Sequence, residues 1–433
     1  MYNSLFKNTN LFTILTKILI IILPFYVIIK VYSDKILGLW FFWFFIKEFI
    51  VILLFFSLIY EYFFNEKNKD IRLKFDKIDY LIFAFILYWI IITLINWLWF
   101  KALFFWGRYD FLGFIVFFIF KHGKIFLKEK INNLIKLFLL SACISLFLGL
   151  MVKFILWEEF LSLFGFSIYV NEFWFWWWIP IYQWVEASGI RRFQGILDSP
   201  LAMWYFLILF TWLFTYLNRK NLDFAYFLWL IFLLSLVFLT YSRAAMLWII
   251  IWIFILFLFS LKRNLKKYKK YLVYIISILI IWIFSFWYIF QDKLVNVFLR
   301  PGSTTGHFTR METWVKRFIS HPFWEWLASA WPAYRNILSW KTSLQTDRYY
   351  IPESWFIQIL VEGWIIYFSL FLYILLNIIF NLYKSKNYYI LVMFVWILVM
   401  NLFLHVFEYT YITILLFLFL WLFYVWENLQ KKS

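Results

Sequence analysis

The chain has 433 residues, of which 66% are hydrophobic and only 15% are charged, and its mean hydropathy is +0.82. Soluble domains carry about a quarter charged residues, so this composition excludes an ordinary soluble protein and predicts a polytopic helical membrane protein. The net charge of +18 is explained below by membrane topology, and we expect no nucleic-acid partner. The single cysteine, Cys143, excludes a disulfide framework and argues against a cysteine-based metal site.

Apolar runs long enough to cross a bilayer recur along the whole chain. They lie at 11–32, 40–64, 78–97, 101–120, 132–155, 199–217, 222–241, 244–261, 271–290, 355–380, 388–404 and 408–426. We therefore expect an all-α bundle of about twelve transmembrane spans. The chain then divides into spans one to nine (1–290), a large extracytoplasmic loop (291–354), and spans ten to twelve with a short cytoplasmic tail (355–433).

The basic residues collect in every second connection between these spans. Lysines and arginines crowd 67–77 after the second span, 121–130 after the fourth and 262–270 after the eighth. By the positive-inside rule these connections are cytoplasmic. Both termini are then predicted to be cytoplasmic, and the connections 156–198 and 291–354 face outward.

Several arginines fall in or beside the outward connections, although arginine is normally scarce there. They are Arg108, Arg191, Arg192, Arg243 and Arg310. Each alone could be an interfacial cation with its head group in water, but several at one membrane face favour a binding site. Guanidinium groups bind phosphate in a bidentate manner, and Arg243 is expected at the N-terminus of span eight, where backbone N–H groups favour an anion. We predict a site for a phosphorylated, lipid-linked ligand in the outer leaflet.

Two carboxylates accompany these arginines. Glu353, at the outer start of span ten, is the candidate general base, although a carboxylate at a helix N-terminus is also stabilised by the helix dipole. Glu362 lies two to three turns deeper, where pairing with an arginine explains it as well as catalysis does. His307, His321 and His405 lack metal-ligand spacing and no nucleotide-binding loop is present, so we expect neither a metal nor a cofactor.

Four separated motifs then carry a resemblance. They are RFQGILDSP (192–200), TYSR (240–243), RMETW (310–314) with His321 and Pro322 after it, and ESWFIQILVEG (353–363). In their order, spacing and outward placement they resemble the O-antigen ligase and O-antigen polymerase family of bacterial membrane glycosyltransferases. The chain departs from the family pattern at Glu353, where ligases have histidine, and at Ser199, where the family has asparagine. The first departure argues against lipid A-core ligation and fits the polymerase-like branch.

The resemblance implies transfer of a glycan from a polyprenyl-diphosphate donor to a hydroxyl of a glycan, glycolipid or protein acceptor, at the outer face of the bacterial inner membrane. It implies catalytic roles for Glu353, Arg243 and Arg310. The substrate-binding residues would be Arg108, Arg191, Arg192, Gln358 and Glu362.

Two other functions stay open. A transporter or flippase for the same lipid-linked glycans would have pseudo-symmetric halves, and no internal repeat is visible. A glycosyltransferase using polyprenyl-monophosphate sugars would need acidic residues in the first outer loop, where only Asp34 is available.

Tryptophan is unusually abundant, with 29 residues against only 11 glycines. Reading tryptophan as glycine turns PFWEWLASAW into PFGEGLASAG and ESWFIQILVEGW into ESGFIQILVEGG, which resemble the family's glycine pattern. We hypothesise that many of these tryptophans are UGA codons that the source organism reads as glycine. The codons of Trp324, Trp326 and Trp331 test this directly.

Overall fold

A computed structural model describes residues 10–39, 45–65, 73–95, 107, 109–127, 130–168, 179–184, 190–218, 224–243, 301–320, 354–385, 388–405, 407 and 409–430. This part of the chain is mostly helical. The predicted spans eight and nine (244–261 and 271–290) and residues 291–300 and 321–353 of the predicted large loop lie outside the described residues.

The described helices, numbered in chain order, have the following bounds. They are α1 Leu11–Ile22, α2 Tyr26–Lys35, α3 Ile46–Phe63, α4 Lys77–Ile95, α5 Leu112–Gly123, α6 Ile131–Met151, α7 Pro200–Asn218, α8 Phe224–Leu239, α9 Pro301–Ser320, α10 Trp355–Lys384, α11 Tyr388–Asn401 and α12 Thr410–Gln430. Short 3₁₀ segments occupy Leu23–Phe25, Lys124–Phe126 and Glu158–Phe164, and a π-helical turn occupies Val152–Leu156.

Five of the described helical stretches are long and apolar enough to cross a membrane. They are Leu11–Lys35, Lys77–Leu94, Ile131–Leu156, Pro200–Asn218 and Trp355–Lys384. Shorter apolar helices lie at Leu228–Leu239, Ile390–Asn401 and Thr410–Trp421. The expectation of an all-α membrane protein is confirmed at this coarse level, and the count of twelve stays a prediction. A two-stranded antiparallel hairpin, β1 (Gln183–Trp184) and β2 (Arg191–Arg192), is a small departure from an all-helical chain.

The chain forms two compact units, and the first comprises 1–23, 45–137 and 305–433. In this unit α5 packs against α12, α4 against α10, and α1 against α3. Gly113 permits the close packing of α5 on α12, because a Cβ at this position would lie only 2.6 Å from the ring of Phe417. The absence of a side chain at Gly113 therefore lets the two helices approach each other closely.

An ionic cluster around the buried Asp79 joins α4 to α5 in the first unit. The Lys121 Nζ lies 2.7 Å from Asp79 Oδ2 and 2.5 Å from Asp76 Oδ1, and the His122 Nε2 lies 3.1 Å from Asp79 Oδ1. Asp79 has no exposed surface, and a buried carboxylate needs such partners to offset its desolvation. The cluster ties the basic end of α5 to the start of α4.

The second unit comprises 24–44 and 138–304. Within it α7 packs against α8, and α2 lies beside the 3₁₀ segment Glu158–Phe164. Helix α7 starts with Pro200, and the Ser199 hydroxyl accepts a hydrogen bond from the backbone N–H of Ala202 at 3.0 Å. This is the arrangement expected of a capping serine followed by proline at the first helical position.

Helix α10 is broken where a single continuous span (355–380) was expected. Ser354 caps its start by accepting from the N–H of Ile357, and the backbone at Trp364 then leaves helical geometry with φ 62° and ψ −179°. The break divides α10 into a short segment ending at Gly363 and a second segment that continues to Lys384. Hydropathy does not register such a break, because the stretch Trp355–Lys384 is apolar as a whole.

Candidate functional site

The first two motifs meet in the second unit. The Arg192 Nε donates a hydrogen bond to the backbone carbonyl of Thr240 at 2.8 Å, and the Phe193 N–H donates to the carbonyl of Leu239 at 2.9 Å. The Trp204 indole N–H donates to the Ser242 hydroxyl at 2.7 Å. The segment RFQGILDSP and the turn TYSR are therefore neighbours, and Arg243 directly follows a residue held by this contact.

A close approach between the backbones at Gly149 and Gly195 supports that arrangement. Gly195 has φ +59°, which glycine adopts without strain, and a Cβ on Gly149 of α6 would lie 2.8 Å from the Gly195 Cα. Real Cβ atoms do not approach a backbone carbon this closely, so both positions need glycine. The turn after Arg192 thus lies directly on α6.

Arg191 belongs to an ion-pair network that the sequence did not indicate. Its Nη1 lies 2.9 Å from Glu158 Oε2, and the Lys153 Nζ lies 2.5 Å from the other oxygen of Glu158. The guanidinium also lies over the rings of Tyr182 and Trp184, at 4.3 and 5.5 Å from their centroids. Such contacts between a cation and an aromatic face are favourable, and they hold Arg191 within its own unit.

The electrostatics of Glu158 follow from this network. Burial alone would raise the pKa of Glu158, but the hydrogen bonds from Lys153 and Arg191 outweigh it and hold the pKa of this carboxyl below its ordinary value. The same carboxylate keeps the pKa of Arg191 above its ordinary value despite the opposing effect of burial. Glu158 is therefore an anion that balances two cations.

The last two motifs meet in the first unit. Trp314 of α9 is 2% exposed and packs against the fully buried Val361 of α10, with Phe318 and Ile357 around them. Arg310 lies one helical turn before Trp314 and is half-buried. The helix carrying RMETW is thereby fixed against the short segment of α10 that carries Gln358 and Glu362.

A buried polar centre lies in the same unit and comprises Asp110, Gln358, Glu362 and Tyr367. The Tyr367 hydroxyl donates to Asp110 Oδ2 at 3.0 Å, and the Gln358 Nε2 donates to Glu362 Oε2 at 3.3 Å. Gln358, Glu362 and Tyr367 all belong to α10, on either side of the break at Trp364. All four side chains are buried, and the Tyr367 ring stacks on Phe85 with centroids 4.2 Å apart.

This polar centre retains hydrogen-bonding capacity. Within the described part of the chain, Asp110 Oδ1 and Gln358 Oε1 are buried oxygens without a hydrogen-bond partner. Buried polar atoms of folded proteins are nearly always paired, so each exception calls for a physical reason. Ionisable side chains inside a membrane protein commonly mark a functional site.

The predicted site residues therefore divide between the two units. Arg191, Arg192 and Arg243 belong to the second unit, and Arg310, Gln358 and Glu362 to the first. Glu353 and Arg108 lie outside the described residues, so their roles stay predictions. Among the residues that the structure describes, no group of three His, Cys, Asp or Glu side chains could hold a metal ion.

Sequence reasoning missed Asp110, Glu158 and Tyr367. Tyr367 and Asp110 are 257 positions apart in the sequence, and Arg191 and Glu158 are 33 apart. No local sequence pattern encodes contacts over such separations. The only available signal was an acidic residue in an apolar run, at position 110.

Comparison with known proteins identifies no relative. No family model, no curated protein and no solved structure matches this chain. The class supported up to this point is a helical membrane protein with two polar regions.

Proposed function

We propose that the protein is a membrane glycosyltransferase that transfers or polymerises a glycan from a polyprenyl-diphosphate donor onto an acceptor hydroxyl. The observation that carries the proposal is the pairwise contact of motifs distant in sequence, through Arg192 and Thr240 in one unit and through Trp314 and Val361 in the other. All four motifs resemble those of one enzyme family. If the two motifs of a pair contribute to substrate binding together, contacts within that pair are expected.

The proposed mechanism is a metal-free displacement at the anomeric carbon. Arg192 and Arg243 of the second unit bind the diphosphate and stabilise the negative charge that develops on the leaving group, and Arg310 keeps the catalytic role that the motif resemblance implies. Glu353 removes the proton from the acceptor hydroxyl as the new glycosidic bond forms and the bond to the diphosphate breaks. Arg191 has a structural role in this scheme, because Glu158 already balances its charge.

The proposed topology places this chemistry at the outer face of the bacterial inner membrane. It has twelve spans with both termini in the cytoplasm, and the loop between spans nine and ten lies outside. The five described helices that are able to span a membrane and the alternating basic connections support it.

A transporter or flippase for lipid-linked glycans is the second candidate. Two observations favour it, namely the break in α10 at Trp364 and the polar centre beside it. Broken helices and buried ionisable residues are found where transporters bind their substrates. Both functions share the lipid-linked ligand and differ in whether its bond to the glycan is cleaved.

One assay separates the two functions. Membranes containing the protein are incubated with a polyprenyl-diphosphate-linked glycan and an acceptor, and free polyprenyl diphosphate is measured. Release that depends on the protein supports transfer, whereas movement of the intact donor between leaflets without release supports transport.

Arginine variants test the mechanism in the same assay. We expect Arg192→Ala, Arg243→Ala and Arg310→Ala each to lower the rate of release about 10²-fold or more, since each removes a charge that stabilises the leaving group. Lys136→Ala and Lys316→Ala are matched controls, because both lysines are exposed cations on helices α6 and α9. Equal losses in the controls and the arginine variants would contradict the assignment.

A further inference from the structure

Two tryptophans have backbone conformations that glycine alone adopts readily. Trp157 has φ 64° and ψ 151°, and Trp364 has φ 62° and ψ −179°. In this combination of positive φ and extended ψ, a Cβ clashes with the neighbouring backbone, and proteins occupy the region almost only with glycine. Any other residue persists there only when its surroundings enforce the conformation.

The surroundings do not enforce it at Trp157. Its side chain is 69% exposed, so packing of the indole contributes little to hold the strained backbone. Tyr241 provides the contrast, because it also has a positive φ, of 49°, but is buried and packs its ring against Phe238 with centroids 6.2 Å apart. A buried aromatic ring compensates backbone strain in a way that an exposed one does not.

Trp364 is the direct neighbour of a glycine at the break in α10. It directly follows Gly363, and the two residues form the break within α10. The backbone at Gly363 is so crowded that a Cβ would overlap the ring of Tyr367. A pair of glycines is the composition expected for such a break.

Both positions adjoin a buried carboxylate. Trp157 immediately precedes Glu158, the first residue of its 3₁₀ segment, and Trp364 follows Glu362 by two residues. The direction in which each carboxylate enters the protein therefore depends on one of these two backbone turns.

We propose that residues 157 and 364 are glycine in the protein that the source organism makes, because their codons are UGA and the organism reads UGA as glycine. Translation of the gene with UGA read as tryptophan then assigns tryptophan at each such codon. This also explains why the sequence has 29 tryptophans and only 11 glycines. Trp204 is outside this proposal, since its buried indole N–H makes a hydrogen bond to Ser242. The inference is independent of the proposed glycosyltransferase activity.

The direct test uses the gene and the natural protein. The codons at 157 and 364 are read, and peptides covering both positions are weighed by mass spectrometry after purification from the source organism. We expect UGA codons and masses that correspond to glycine. UGG codons, or masses that correspond to tryptophan, would overturn the proposal.

A recombinant test isolates the backbone effect. The full chain as printed is compared with Trp157→Gly, Trp157→Ala, Trp364→Gly and Trp364→Ala, with Trp229→Gly and Trp229→Ala as controls on helix α8, where the indole is 48% exposed. Each pair loses the same indole, so the difference in Tm between Gly and Ala reports the backbone alone.

We expect the Gly variant to have the higher Tm at 157 and 364, because glycine relieves the positive φ and alanine does not. At 229 the order reverses, because alanine stabilises a helix interior and glycine does not. If Ala equals or exceeds Gly in Tm at 157 and 364, or if only the Ala variant folds there, the strain argument fails.

Discussion

At the scale of single residues, Glu158 shows how the protein balances charge near its candidate site. The carboxylate is buried and lies between Lys153 and Arg191. Removing the carboxylate leaves two partly exposed cations without their counter-ion, and water offsets part of that cost. We expect Glu158→Gln to lower the free energy of unfolding at pH 7 by about 1 kcal/mol.

The pH dependence of this effect has a definite sign. The pKa of Glu158 is lower in the folded protein than in the unfolded chain, so its stabilising contribution is complete above the ordinary glutamate value of about 4.3 and is lost as pH falls through the folded value. The gap in Tm between wild type and Glu158→Gln should therefore narrow below about pH 4. A gap that stays constant down to that pH would show that charge is not the cause.

Tyr367 offers a matched comparison of two phenols that stack on each other. The rings of Tyr88 and Tyr367 have centroids 6.1 Å apart, but only the Tyr367 hydroxyl bonds to Asp110, and the Tyr88 hydroxyl is buried without a partner in the described part of the chain. We expect Tyr367→Phe to cost about 1–3 kcal/mol of unfolding free energy, because it leaves a buried carboxylate oxygen unsatisfied. Tyr88→Phe should be close to neutral, as measured by thermal unfolding in detergent.

At the scale of elements, the contact of α6 with the turn after Arg192 depends on two glycines. A Cβ on Gly149 would meet the Gly195 backbone at 2.8 Å, whereas a Cβ on Gly306 of α9 would meet nothing within 4 Å. We expect Gly149→Ala to destabilise the protein by about 1–3 kcal/mol through overpacking, and to slow glycan transfer because the Arg192 turn is displaced.

Gly306→Ala is the control for this prediction. It makes the same chemical change in a helix interior without a clash, so the higher helix propensity of alanine should leave stability unchanged or raise it by up to about 1 kcal/mol. Equal Tm values for the two variants would show that the close approach of α6 to the Gly195 turn does not limit packing.

The element scale also shows what hydropathy predicts well and what it does not. The apolar run 199–217 corresponds to α7, Pro200–Asn218, and 132–155 corresponds to α6 with its π-helical turn, because hydropathy and capping residues act locally. The break at Trp364 and the hairpin containing Arg192 depend on single backbone dihedrals and on distant partners, which no window of hydropathy contains. The motif resemblance predicts that Arg192 and Arg243 share a site, but it gives no indication of Asp110 or Glu158.

At the scale of the whole molecule, the distribution of basic residues predicts a topology that the single cysteine makes testable. In a Cys143→Ser background, Ser188→Cys lies in the outward connection 156–198, and Glu129→Cys lies in the basic connection 121–130. A membrane-impermeant thiol reagent applied to intact cells should label the first variant and leave the second unlabelled until the cells are opened. Labelling of Glu129→Cys in intact cells would contradict cytoplasmic termini.

The break in α10 has an electrostatic consequence for the interior of the bundle. Where two helical segments meet end to end, roughly four carbonyl groups of the first and four N–H groups of the second lack partners within their own segment. Both ends lie within a few residues of the buried Glu362, and each carries a partial charge equivalent to about half an elementary charge. Unpaired N–H and C=O groups at such a position give it an attraction for a polar group that an unbroken apolar helix lacks.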